Sequence, residues 1–359
     1  MKIIASIFFV LVVQLSWTQD SISVLFIGNS YLSVNNLPQM VQDLTESLGD
    51  HMLMDSKMNG GFTFQSHAYD ATTYTKIHAK PWNFVVLQGQ SQEPSFPYDQ
   101  VNQQSLPYAQ QISDSVYASN GCSQVNYYMT WGRQVGDPQW DSINTFDKMN
   151  TRLRNAYLRI ADSTNASVSP VGVAWKYVRD NYPAINLYAG DGSHPSLEGS
   201  YLAACTFYSS LFQKSSVGAS YTAGLNPQIC AILQQVASSV VLDSIPTWKL
   251  VHHDSLFNAS FVAGVNQYDV LFAATTSSPG NLVWDFGDGS PVGFGQNPTH
   301  TYVAGTYTVT LFASGACGMD TVQQQITVNT VSLDDITTQW PYLYKMNKVI
   351  SFVKLDFST

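Results

Sequence analysis

The hydrophobic pattern of this chain changes its period once, near residue 243, and that change sets what the chain can fold into. From about residue 21 to 242, short apolar runs alternate with stretches of helical spacing. Ile22–Ile27 and Phe84–Leu87 are almost wholly apolar, the pattern of strands buried on both faces. Val125–Thr130 and Val168–Val173 read the same way, and Met52–Met58 alternates like a strand. Leu37–Leu48 has helical spacing, with Asn36 as N-cap and Pro38 in the first turn. Ser142–Ala161, Leu197–Phe212 and Pro227–Leu242 are expected to be helices. Alternating β and α units build a parallel sheet covered on both faces, an α/β fold. From 256 to 330 the runs are short, β-rich and punctuated by Gly and Pro: Phe257–Val265, Asp269–Thr275, Leu282–Phe286, Thr306–Ser314 and Thr321–Val328. That pattern predicts a small β-sandwich. Residues 243–255, with Ile245-Pro246-Thr247, read as a linker, and 331–359 as a tail that fits neither domain.

Residues 1–19 read as a secretory signal peptide. Lys2 supplies the positive start, Ile3–Val13 the apolar core, and Ser16 and Thr18 the small residues before a cut. The apolar run is shorter than the ~20 residues a membrane span needs, and no later segment is long enough. The expectation is a secreted or cell-surface protein, extracellular or periplasmic, with no span in the mature chain. A net charge of −9 with only 11% charged residues argues against nucleic acid, which needs a basic face. Cys122, Cys205, Cys230 and Cys317 suit an oxidising compartment, with their pairing open. Cys205 and Cys230 fall in apolar helical stretches, so buried thiols fit as well as a bridge. No CxxC or HExxH spacing is present, and no metal is expected.

Chemistry concentrates at the ends of the strands. Ser30 follows the first apolar run on Gly28-Asn29-Ser30, where α/β proteins place reactive groups. A serine there also caps helices, and a second segment weighs against that plainer reading. Asp191-Gly192-Ser193-His194 puts a carboxylate three residues before an imidazole on a polar loop, so that Asp191 can hold Nδ1 while Nε2 faces a nucleophile. Gly60-Gly61 follows the second strand and offers bare backbone. Gln88-Gly89-Gln90-Ser91 follows the third and offers side-chain amides to a developing oxyanion. Trp131 and Arg133, after the fourth strand, are candidates to stack on a sugar ring and to bind a carboxylate or hydroxyls, or else a buried indole and a surface charge.

Together these segments resemble the SGNH hydrolases, also called GDSL-like esterases, over residues 21–242. Gly28-Asn29-Ser30 is similar to the first block, with Asn29 in place of the usual Asp. Gly61 matches the glycine block. Gln90 stands where the family has its asparagine, with Gln88 as the other amide in reach, and Asp191 and His194 match the last block. The Gln-Gly-x-Ser form also resembles sialate O-acetylesterase-like members. The resemblance implies a flavodoxin-like three-layer fold and acyl transfer without a metal or organic cofactor. Ser30 would be the nucleophile, His194 the base and Asp191 its orienter. The Ser30 and Gly61 N–H groups with the Gln90 (or Gln88) amide would form the oxyanion hole. The implied partner is an esterified small molecule or polysaccharide, with carbohydrate O-deacetylation foremost. A lipase, lysophospholipase or thioesterase of the same family is the alternative, as is a non-catalytic glycan- or protein-binding protein with a decayed hydrolase domain. In the second half, Val283-Trp284-Asp285-Phe286-Gly287-Asp288-Gly289-Ser290, followed by His300-Thr301-Tyr302, resembles the PKD domain and implies that Trp284 and Phe286 face a sandwich core. Ser332-Leu333-Asp334-Asp335-Ile336 resembles the start of a bacterial C-terminal sorting segment, and the tail, without its Asn-Pro motif, reads as a truncated or altered one.

Overall fold

Strand β1 (Ser21–Gly28) is buried from Val24 to Gly28, and its side chains divide between two cores. Val24 and Phe26 enter one, Leu25 and Ile27 the other. Such a strand must be central and covered on both sides. It pairs in parallel with β2 (His51–Met58) on one side and β3 (Phe84–Leu87) on the other; β4 (Gln124–Tyr128) and β5 (Ser167–Ser169) follow, giving the order β2-β1-β3-β4-β5. The computed structural model describes residues 21–329. The expected signal peptide and tail lie outside the described residues. Two units part between His252 and His253.

Helices cover both faces of the sheet. One core takes side chains from α1 (Ser30–Ser33), α2 (Leu37–Ser47), α8 (Val171–Asn181), α9 (Leu197–Phe212) and α10 (Pro227–Leu242). The other takes them from α3 (Phe64–Ala68), α4 (Ala71–Ile77), α5 (Tyr98–Gln104), α6 (Leu106–Ser119) and α7 (Phe146–Ser163). Every residue of α9 from Gly199 to Phe212 is buried, which explains why that helix is apolar or small all round. Cys205 and Cys230 are buried free thiols. Among the described residues no helix is long and apolar enough to cross a membrane.

Several local expectations are corrected. The run Val168–Val173 is not one strand: β5 stops at Ser169, and Pro170 turns the chain into α8. Asn36 precedes α2 in a left-handed conformation, and its side chain makes no capping bond. Helix α7 starts at Phe146 rather than near Ser142, because Thr145 caps it by accepting the Lys148 N–H. Ile245–Trp248, inside the expected linker, is a 3-10 turn that buries Trp248 in the first unit, where its indole N–H donates to Val240 O.

The second unit is an antiparallel β-sandwich. One sheet has the order β10-β7-β6, from β6 (Ala259–Asn266), β7 (Asp269–Thr276) and β10 (Thr299–Thr301). The other runs β12-β11-β8-β9, from β8 (Gly280–Asp285), β9 (Gly293–Phe294), β11 (Gly305–Gly315) and β12 (Gly318–Val328). Trp284 and Phe286 are buried between the sheets with Phe261, Phe272 and Leu311, as the sequence implies. The aspartates of the Asp285–Ser290 turn accept its backbone N–H groups, Asp285 from Gly287 and Asp288 from Ser290.

Candidate active site

The strand order brings the chemistry to one edge. After β1 the chain moves out to β2 and then crosses back to β3 on the other side of β1, so the sheet changes direction beside the end of β1. Such switch points are where α/β sheets open a crevice at the carboxyl ends of their strands. Gly28-Asn29-Ser30, Asn59-Gly60-Gly61 and Gln88-Gly89-Gln90 leave the three adjacent strands at this edge.

Ser30 and His194, 164 residues apart in sequence, meet here: Ser30 Oγ lies 2.9 Å from His194 Nε2. The other ring nitrogen, Nδ1, lies 2.5 Å from Asp191 Oδ2. Asp191 Oδ1 accepts the backbone N–H groups of Ser193 (2.9 Å) and His194 (3.0 Å). The hydrogen bond from His194, helped by these amides, holds the Asp191 carboxyl down to about 2 against partial burial. An ionised Asp191 fixes the proton on Nδ1, which leaves Nε2 of the neutral ring as an acceptor for the Ser30 hydroxyl.

Three candidate donors lie on the turns at this sheet edge. Among the described residues, the N–H groups of Ser30 and Gly61 and the side-chain NH2 of Gln90 make no hydrogen bond within the protein. Gly61 is exposed and has φ +73°, a left-handed conformation that favours glycine. Gln90 is half-buried, with its Oε1 pinned by the N–H groups of Gln92 (2.6 Å) and Glu93 (3.1 Å), so the amide nitrogen is the free end. Gln88 is not free and is corrected as an oxyanion candidate. Buried, it accepts the Asn29 N–H on Oε1 (3.0 Å) and donates to Asn29 Oδ1 (2.9 Å) and Gly89 O (2.5 Å). Gly28 gives it room, since a Cβ there would sit 2.6 Å from Gln88 Oε1.

Asn29 completes this lock. Its Nδ2 donates to Phe62 O (3.0 Å) and Gly89 O (3.4 Å), joining the turns after all three strands. A buried carboxylate at this position would face two carbonyls with nothing to donate. The departure from the usual Asp is therefore matched by its surroundings. The sequence reading missed this pairing because neither amide announces its partner. It also missed His67, fully buried below the site with Nε2 3.0 Å from Gly28 O. Burial holds the His67 imidazole down to about 4, in its neutral form.

Trp131 is corrected as a sugar platform. It is wholly buried, stacks on Trp175 at 3.7 Å between ring centroids, and donates its indole N–H to Ser193 O at 3.1 Å. Arg133 is partly exposed but engaged: it pairs with buried Asp137 at 2.8 Å and reaches Gln92 Oε1 at 3.4 Å. Asp137 also accepts from Gln92 Nε2, so Arg133 and Asp137 together tie their own loop to the one that carries Gln90.

Residues 259–330 match the PKD domain model. The first unit is similar in fold to a solved DUF4886 family protein from Bacteroides uniformis, 21% identical, with a TM-score of 0.55 over 62% of this chain and 95% of that one. Solved structures similar to the N-terminal region also include a proposed SGNH hydrolase from Slackia heliotrinireducens (24% identical, TM-score 0.42, 52% of this chain and 97% of that one). An acetyl xylan esterase is another (16% identical, TM-score 0.43, 53% and 100%). None of the curated proteins matches the chain. The architecture is thus a parallel α/β unit similar in fold to the DUF4886 family protein, followed by a β-sandwich that matches the PKD domain model.

Proposed function

We propose that the first unit is a serine ester hydrolase and that the protein works outside the cell, removing O-acetyl groups from carbohydrate. The observation that carries the reading is the unbroken hydrogen-bonded series from Ser30 Oγ through His194 to Asp191. His194 takes the Ser30 proton as Oγ attacks the ester carbonyl, then returns it to the leaving alcohol. Asp191 keeps the ring in the required tautomer and stabilises its charged form. Ser30 N–H, Gly61 N–H and the Gln90 amide receive the tetrahedral oxyanion. Water, activated by the same imidazole, frees the acyl group and restores Ser30.

A polar groove of about 350 Å³, lined by Gln134, Arg179, Asn186 and Tyr188 among others, adjoins the Asp191–His194 loop through the Gln134 N–H bond to Gly192 O. Its polar groups, beside the apolar Pro183, Ile185 and Leu187, support a hydroxylated alcohol partner. The expected signal peptide and the PKD domain support an extracellular setting. The Asn29–Gln88 lock weighs against a decayed site, because the Asn29 departure from the family pattern is met by a buried amide that satisfies it.

Acetate release from acetylated xylan, acetylated pectin and 4-nitrophenyl acetate by the full chain, compared with Ser30→Ala, tests the reading. Polysaccharide deacetylation that Ser30→Ala abolishes is the expected result. Equal activity in the folded variant would overturn the serine mechanism. Activity on the small ester alone would discard the polysaccharides tested.

A further inference from the structure

Tyr31 follows Ser30 directly, yet it is buried and a substrate cannot reach it. Its hydroxyl lies 2.7 Å from Ser193 Oγ. Ser193 sits inside the Asp191–His194 segment, so this bond ties the residue after the nucleophile to the loop that carries the other two members of the series. The Tyr31 ring meets the His194 ring edge-on, with centroids 5.3 Å apart, and stacks on Trp131 at 4.8 Å. Trp131 in turn holds Ser193 O. Ser193 is thus gripped twice, by its hydroxyl and by its carbonyl. The loop needs such a grip: the Asp191 and His194 side chains are 50% and 34% exposed, and an exposed loop has few packing contacts of its own to fix it. A phenylalanine would fill the same space without the desolvation cost of a buried hydroxyl. Burial raises the Tyr31 phenol above its usual range, so it stays protonated and able to donate.

We propose that Tyr31 is a positioning residue, whose hydroxyl, bonded to Ser193, holds His194 in register with Ser30. The inference rests on the esterase reading for its kinetic consequence, but not for its effect on the loop. In well-aligned sites a displacement of about 1 Å costs on the order of 10²-fold in rate.

The test uses the full chain with Tyr31→Phe, Ser193→Ala and the double variant. Deuterium uptake is followed in the peptide covering residues 189–195, and kcat and KM are measured on 4-nitrophenyl acetate. Both single variants should speed exchange in that peptide and lower kcat roughly 10-fold, with KM within about twofold. The double variant should be no worse than the poorer single, because both remove one bond. Unchanged exchange in both singles, additive losses in the double, or a raised KM with kcat intact would each overturn the proposal. If the wild type neither hydrolyses esters nor labels with a fluorophosphonate, the esterase reading fails and exchange alone decides the role of Tyr31. If Tyr31→Phe does not fold, Ser193→Ala, on the loop surface, carries the same test.

Discussion

Two sets among the described residues each bring an aspartate, a histidine and a serine into mutual reach, and they differ in which ring nitrogen each partner takes. In the first unit Asp191 holds Nδ1 of His194, and Nε2 is left for Ser30 at 2.9 Å. In the PKD domain Asp288 lies 2.7 Å and Ser290 3.4 Å from the same atom, Nε2 of His300. His300 is also stacked on Phe286, at 4.1 Å and 5°, and meets Tyr302 edge-on. A proton can be passed only if the carboxylate and the hydroxyl sit on opposite nitrogens. The first set has the arrangement that the proposed relay requires, and the second is a latch that fastens the Asp285–Ser290 turn to β10.

The sharpest way to break this contrast is to neutralise each aspartate. Asp191→Asn should lower kcat/KM by about 10³–10⁴-fold with the melting profile little changed, since it loses tautomer control rather than packing. Asp288→Asn should leave ester hydrolysis unchanged and destabilise the second unit by about 1–3 kcal/mol, the cost of breaking a partly buried charge-assisted bond. Kinetics and calorimetry on the two variants check both. A loss of activity from Asp288→Asn would undo the distinction.

A smaller effect separates the two glutamines. Gln90→Ala should cost on the order of 10²–10³-fold in kcat with a normal melting temperature, as expected for one oxyanion donor. Gln88→Ala should lower the melting temperature as well, because it leaves the Asn29 N–H and Oδ1 buried without that partner. If Gln88→Ala lowers kcat at unchanged stability while Gln90→Ala is silent, the oxyanion assignment is reversed.

Much of this site was legible because its residues are local to strand ends. Ser30 follows a run that can only be a central strand, and Asp191 and His194 share one short loop. The division between Gln88 and Gln90 was not legible. Gln88 continues β3 into the buried layer while Gln90 lies beyond it, and only the three-dimensional partner, Asn29, separates them. Trp131 was ambiguous for the same reason, since a strand end can point its next aromatic residue into the core or across the mouth. Helices α3 to α6 and α8 escaped the hydrophobic reading. In α6 the buried face is Ala109, Ile112, Ser113 and Val116, where two of four positions are small or polar. The PKD motif survived intact because its Trp284 and Phe286 fix both the core and the turn between them.

The weakest expected effect is on stability with pH, and it also distinguishes the units. Burial holds His67 down to about 4 from 6.5, so its contribution is fully present above about 6.5 and is lost as pH falls toward 4. Burial pushes Glu93 up to about 7 from 4.5, so its contribution is present below about 4.5 and is lost as pH rises to 7. Asp288 in the PKD domain is raised by partial burial but held down to about 2, chiefly by the bond to His300, so its contribution is lost only below about 3.8. Between pH 6.5 and 4 His67 therefore weakens the first unit while Glu93 strengthens it, so the loss from His67 should stand out in the Glu93→Gln variant, and Asp288 gives the second unit no change in this range. Glu93→Gln should raise the melting temperature of the first unit by a few degrees at pH 8 and not at pH 4.5. Calorimetry across this range checks both, and the same gain at both pH values would remove Glu93 from the explanation.

The most direct measurement is mass spectrometry of the intact chain after treatment with a fluorophosphonate, followed by mapping of the modified peptide. A single adduct on Ser30, absent from His194→Ala, is the expected result. An adduct on Ser290, or none on the folded wild-type chain, would contradict the assignment of the relay to Ser30, His194 and Asp191.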